Sequence, residues 1–155
     1  MNYIGIKPAN IESTVKQLNK LLSNYHIYYQ NLRNYHWNIS GQHFFELHEK
    51  FEELYNDAKV SIDEVAERIL TLREQPTSTL KEYLEMAEIE EKSTLDPHEM
   101  VKNILSDHKI LITNMREAIK CAGEAQDEGT IDLIGGFLAT IEKKSWMLDA
   151  WIAKS

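Results

Sequence analysis

The chain is poor in the residues that crosslink, kink or break a polypeptide. A single cysteine, Cys121, among 155 residues excludes an internal disulfide framework and fits a reducing compartment. Three prolines and six glycines leave few obligatory breaks, which favours long helices. No apolar run approaches the roughly 20 residues that cross a bilayer. Met1 to Ile11 lacks a basic start followed by an apolar stretch, so no signal peptide is expected. Lys and Arg are scarce beside Asp and Glu, 17 against 25, for a formal net charge of −8. That balance disfavours phosphate-backbone binding, which needs clustered cations, and it draws cations toward the surface. The expectation is a soluble, cytoplasmic protein with no membrane contact and weak or no DNA binding.

What is present points to helices. With 43% hydrophobic and 27% charged residues, the composition suits one globular domain over 1–155. Apolar periodicity predicts a first helix from about Asn10 to Ser40, carrying Val15, Leu18, Leu22, Tyr25, Tyr29 and Leu32, with Gly41 as its stop. A second runs from about Phe44 to Arg73, with Phe51, Tyr55, Ala58, Ile62, Val65, Ile69 and Leu72 as its stripe and Pro76 beyond its end. A short helix is expected over Thr79 to Met86. The third long helix opens on Asp96, Pro97 and Glu99 and ends near Gly123, carrying Val101, Leu105, His108, Ile112, Met115 and Ile119. The fourth begins around Thr130 and presents Ile131, Ile134, Leu138, Ile141, Leu148 and Ile152. Four long helices with one long connection describe an all-α four-helix bundle with a crossover, and a short extra helix in the middle connection.

The second helix also carries a polar pattern. His48 and Glu52 are four residues apart, as are Asp63 and Glu67, so each pair shares a face. Measured from Phe51, these four fall between roughly 60° and 160°, on a stripe that flanks the core. Glu52 and Asp63 are about 16 Å apart along the axis, whereas ligand–metal bonds are about 2 Å. One helix therefore cannot bring both pairs to one ion. Two copies packed antiparallel across a twofold axis can, giving two equivalent sites per dimer. Phe45 and Leu70 lie on the same flank near the ends of the stripe, and His36 is one loop away. The same spacing also suits a solvated flank, with Lys59 as a charge partner for Glu52, so the pattern by itself leaves both readings open.

The segment Asn31-Leu-Arg-Asn-Tyr-His-Trp-Asn-Ile-Ser-Gly41, continued by Phe44-Phe-Glu-Leu-His-Glu-Lys-Phe-Glu-Glu-Leu-Tyr55, closely resembles the Dps family of ferritin-like proteins. The likeness continues through Asp63-Glu-Val-Ala-Glu-Arg-Ile69, Asp127-Glu-Gly-Thr130 and Glu142-Lys-Lys-Ser-Trp-Met-Leu148. The resemblance implies a ferritin-like subunit, a hollow dodecamer, and ferroxidase sites shared between twofold-related copies. It carries the iron ligands onto His36, His48, Glu52, Asp63 and Glu67. Relatives often have Asp where this chain has Glu52, which lengthens that carboxylate and keeps its charge. A Glu three residues before a His, the ligand motif inside di-iron bundles, is absent for all six histidines, which argues against a centre inside the bundle.

Two imidazoles and three carboxylates suit Fe(II) with open positions for an oxidant. The expected activity is oxidation of Fe(II) by hydrogen peroxide, with dioxygen slower, and storage of Fe(III) mineral in the cage. Trp37 adjoins His36 and is a candidate electron donor to a stray oxidant; an interface aromatic explains it as well. From Cys121 to Glu142 there is no Lys or Arg. The resemblance makes this stretch an iron-admitting pore, with Asp127 and Asp132 as candidates, although capping of the fourth helix accounts for them too. His26, His43, His98 and His108 are given no functional role, with His108 a satisfied core residue, and Cys121 is read as structural.

Overall fold

The computed structural model describes residues 3–153; Lys154, the only basic side chain at the C-terminal end of the sequence, lies outside them. A single turn of 3-10 helix, Pro8–Asn10, precedes α1 (Glu12–Asn38), α2 (Phe44–Thr71), α3 (Leu80–Met86), α4 (Pro97–Glu124) and α5 (Glu128–Ile152). Among the described residues there is no strand, and no helix is long and apolar enough to cross a membrane.

Side-chain pairs fix the topology. Tyr29 of α1 meets Tyr55 of α2 and His36 meets His48, so α1 and α2 run antiparallel. Asn24 bonds Asn114 and Asn31 bonds Asp107, which makes α4 antiparallel to α1. Arg68 reaches Asp127 and Asp57 reaches Lys144, so α5 is antiparallel to α2. The second and third long helices are therefore parallel, and a parallel pair cannot be joined by a short turn. The connection from Leu72 to Asp96 must traverse the length of the bundle, and its helix α3 packs along α1 on the way. This is the ferritin-like crossover bundle.

The helix ends differ in detail from the sequence reading. Asp96 caps α4 by accepting from the amides of His98 and Glu99, but Glu99 is taken by the Thr94 hydroxyl and does not close a reciprocal box. The reciprocal capping box lies on α3, between Thr79 and Glu82. Helix α5 begins at Glu128, ahead of the expected Thr130, because Asp127 supplies a buried cap. On α1 it is Tyr28, not Tyr29, that is buried among the core residues.

The core also encloses polar groups. Asn24 accepts from the amides of Glu88 and Ile89, and Asn31 accepts from that of Lys92, so both tether the crossover to α1. Burial holds the His108 imidazole down to about 4 from an ordinary 6.5, and raises the Asp107 carboxyl to about 6 against the lowering influence of Asn31 and Lys92. Their linkages oppose each other. His108 is neutral in the fold, so its contribution is present above pH 6.5 and lost as pH falls toward 4. Asp107 holds its proton more tightly when folded, so its contribution is present below 3.8 and lost as pH rises through 6. Replacing Asp107 with asparagine keeps the acceptor for Asn31 and removes the second effect. The variant is more stable than wild type at pH 7, by a few kcal/mol at most, and loses stability more steeply between pH 6.5 and 4. Urea unfolding across that range measures both.

Candidate metal centre

The α1–α2 hairpin places His36 and His48 face to face, ring centroids 3.8 Å apart and planes 15° from parallel. Each Nδ1 lies against the other residue's backbone carbonyl, at 2.7 Å for His36 and 2.8 Å for His48. A carbonyl oxygen only accepts, so both Nδ1 atoms carry a proton, and in the neutral rings the lone pair lies on Nε2. The backbone thereby fixes the tautomer that a metal requires, as second-shell acceptors do in metal sites. His36 is buried and His48 half-buried, with Phe44 stacked on the outer face of the His48 ring at 4.8 Å.

Tyr55, assigned from sequence to the core stripe, stands between two ligand candidates. Its ring meets that of His36 edge-on at 5.2 Å, and its hydroxyl donates to Glu52 Oε1 at 3.3 Å. An i, i+3 relation to Glu52 was the signal for that contact. Among the described residues Glu52 makes no ion pair with Lys59. Glu52, Asp63 and Glu67 are exposed along α2, and among the described residues no three His, Cys, Asp or Glu side chains converge to hold a metal. Within one chain, then, the histidines and Glu52 lie at one end of the stripe, and Asp63 and Glu67 lie apart from them. Phe45 is 85% exposed and Leu70 53%, large apolar side chains on the same flank. Trp37, 60% exposed, is covered on one face by the Arg33 guanidinium at 4.9 Å.

Comparison with known proteins decides the family. A family model described as a ferritin-like domain matches residues 15–155. The DNA protection during starvation protein of Porphyromonas gingivalis is 44% identical over 156 residues, covering 97% of this chain and 95% of that protein. The chain belongs to the Dps family. A Dps crystal structure from Vibrio cholerae O1, described as one of the ferritin-like diiron-carboxylate proteins, superposes with a TM-score of 0.94 at 42% identity, covering 97% of this chain and 95% of that one. Dps from Staphylococcus aureus gives 0.90 at 35% identity, covering 93% and 97%.

The two pore candidates of this Dps-family chain have different surroundings. Asp127 is 2% exposed. Its Oδ1 accepts from Arg68 Nη2 at 2.6 Å and from the Thr130 amide at 3.1 Å, and its Oδ2 accepts from the Thr130 hydroxyl at 2.5 Å. Both oxygens are committed to capping α5 and pairing Arg68, the capping role that the sequence had left open. Asp132, one turn further on, is exposed. No local pattern links Arg68 with Asp127, 59 residues apart in the chain. His43 and His98 gather around Trp151 at the bundle end, with His43 also bonded to Glu46 at 2.6 Å.

Proposed function

We propose that the chain is the subunit of a dodecameric cage that oxidises Fe(II) and stores the Fe(III) product as mineral, protecting the cell against oxidative damage. The observation that carries this reading is the reciprocal His36–His48 pair, whose free Nε2 atoms adjoin an acidic stripe that one chain cannot fold back to meet them. Fe(II) is the substrate, held by His36, His48 and Glu52 of one copy and Asp63 and Glu67 of its twofold mate.

The register of α2 supports that pairing. Positions 45 and 70, 48 and 67, and 52 and 63 are each symmetric about one midpoint, between Asp57 and Ala58. A twofold axis through that point lays His48 beside Glu67, Glu52 beside Asp63 and Phe45 beside Leu70 in a single antiparallel contact. Imidazole with several carboxylates accepts Fe(II) and, through its anionic oxygens, favours the ferric product. Hydrogen peroxide takes two electrons, one from each of two Fe(II) ions, so no hydroxyl radical is released; dioxygen is the slower oxidant. Trp37 beside His36 gives an electron to any one-electron oxidant that escapes. Asp132, exposed at the start of α5, lines the pore through which iron arrives, while Asp127 shapes that helix start from within.

Anaerobic mixing of the assembled protein with Fe(II), followed by peroxide, tests the reading. Ferric absorbance that rises faster than in buffer supports it, and a rate equal to that in buffer contradicts it. Several relatives are named for DNA protection during starvation. With a net charge of −8 on each chain, protection here comes from removing iron and peroxide. Supercoiled DNA at low salt and neutral pH migrates freely past the cage in a gel; retention would show that the cage coats DNA after all.

A further inference from the structure

One buried pair plays no part in the proposed iron chemistry. The hydroxyl of Tyr28 lies 2.7 Å from Nε2 of His108, with both side chains enclosed between α1 and α4. The direction of this bond is fixed from its far end. Ser145 Oγ donates to the Ile141 carbonyl at 2.8 Å, so toward His108 it can only accept, and Nδ1 of His108, 2.8 Å away, is the donor. Nε2 is then the bare nitrogen, and the Tyr28 O–H points at it. Burial keeps His108 neutral, which leaves that nitrogen free.

We infer that Tyr28 and His108 form an internal proton-coupled electron donor, a one-electron quencher inside the subunit. A phenol that loses an electron becomes a cationic radical far more acidic than an imidazolium, so its oxidation is easy only where a base takes the proton as the electron leaves. A carbonyl or hydroxyl acceptor does not take up that proton readily. An imidazole does. In the step, Tyr28 gives one electron to a hydroxyl radical formed outside the paired-iron centre, where a lone Fe(II) meets peroxide, and the radical becomes hydroxide. The phenolic O–H bond breaks and the proton passes to Nε2, leaving a neutral phenoxyl radical and an imidazolium that still donates to Ser145. An Fe(II) ion then returns one electron, becoming Fe(III), and the proton returns to Tyr28.

The surroundings separate Tyr28 from the other tyrosines. The hydroxyl of Tyr35, fully buried, neighbours the side-chain amide of Asn103, which takes up no proton, and the Tyr55 hydroxyl is spent on a proposed iron ligand. The Tyr28 ring borders a cavity of about 230 Å³ that opens between α2 and α5 beside Lys144 and Asp57. The Tyr25 ring, 6.2 Å away, lines the same cavity and meets the Tyr28 ring edge-on. A small oxidant, or a hole arriving through Tyr25, therefore has a route to the pair.

The inference rests on the proposed function only for the source of the oxidant, so the test has two arms. In the first, azide radicals made by pulse radiolysis oxidise the metal-free assembled protein, and the phenoxyl radical is followed by absorbance and electron paramagnetic resonance. Wild type gives a buried tyrosyl signal that forms more slowly in D2O. Tyr28→Phe, which keeps the ring and removes the hydroxyl, loses that signal, whereas Tyr55→Phe keeps it. His108→Gln keeps an acceptor but no base, and loses the D2O effect; should it misfold by circular dichroism, Tyr28→Phe and the D2O comparison still decide. A tyrosyl signal unchanged in Tyr28→Phe overturns the inference. In the second arm Fe(II) and peroxide supply the oxidant. If iron is not oxidised faster than in buffer while the first arm behaves as described, the iron reading fails and the Tyr28–His108 donor stands.

Discussion

Replacing Asp63 with alanine lowers the initial rate of Fe(II) oxidation by peroxide roughly 100-fold or more, and leaves the folded subunit as stable as wild type. The scale follows from metal sites in general, where loss of a mere supporting residue already costs about 10–100-fold in affinity or activity. Stability is spared because Asp63 is exposed and, among the described residues, its side chain makes no hydrogen bond or ion pair. His48→Ala gives the same loss of rate, with a modest loss of stability as well, since the His36 carbonyl loses its donor and Phe44 its stacking partner. Stopped-flow ferric absorbance and thermal melting separate the two consequences. An Asp63→Ala protein that oxidises iron at the wild-type rate would remove the acidic end of the stripe from the account.

The second large effect is on stability. Asp127→Ala removes an α5 cap and leaves Arg68, whose side chain is 19% exposed, without its carboxylate. Breaking a buried pair from one side and losing a cap together cost about 3 kcal/mol. Asp127→Asn costs less, because an amide oxygen can still accept from the Thr130 amide. Gly129 belongs to the same unit: a Cβ there would sit 2.8 Å from Arg68 Nη2, so the missing side chain makes room for the guanidinium. Urea midpoints at one fixed protein concentration rank wild type, Asn and Ala in that order. Equal midpoints for wild type and Asp127→Ala would mean that the α5 start is held by something else.

The fold was legible because its signals are local. Periodicity at Phe51, Ala58, Val65 and Ile69 marks the buried face of α2, and Asp96-Pro97 marks the start of α4, without reference to any other segment. The stripe from His48 to Glu67 was legible for the same reason, since four-residue spacing needs only one helix. What remained hidden depends on contacts between distant segments. The stacking and reciprocal bonding of His36 and His48 arise from how the α1–α2 hairpin closes, and Arg68–Asp127 from how α5 settles against α2. Tyr55 packs against the core, as its period-3.6 position predicts, but the contact of its hydroxyl with Glu52 has no apolar signal to announce it. The tethering of the crossover by Asn24 and Asn31 could not be read either, since a buried asparagine has no periodic signature.

The claim on which the rest depends is that a working iron centre needs ligands from two copies, and subunit mixing tests it most directly. His48→Ala and Asp63→Ala cages, each nearly inactive, are dissociated, mixed in equal amounts and reassembled. A mixed twofold pair holds one centre with both defects and one with neither, so random reassembly restores about a quarter of the wild-type rate. A mixture no more active than its two parents would contradict the shared centre.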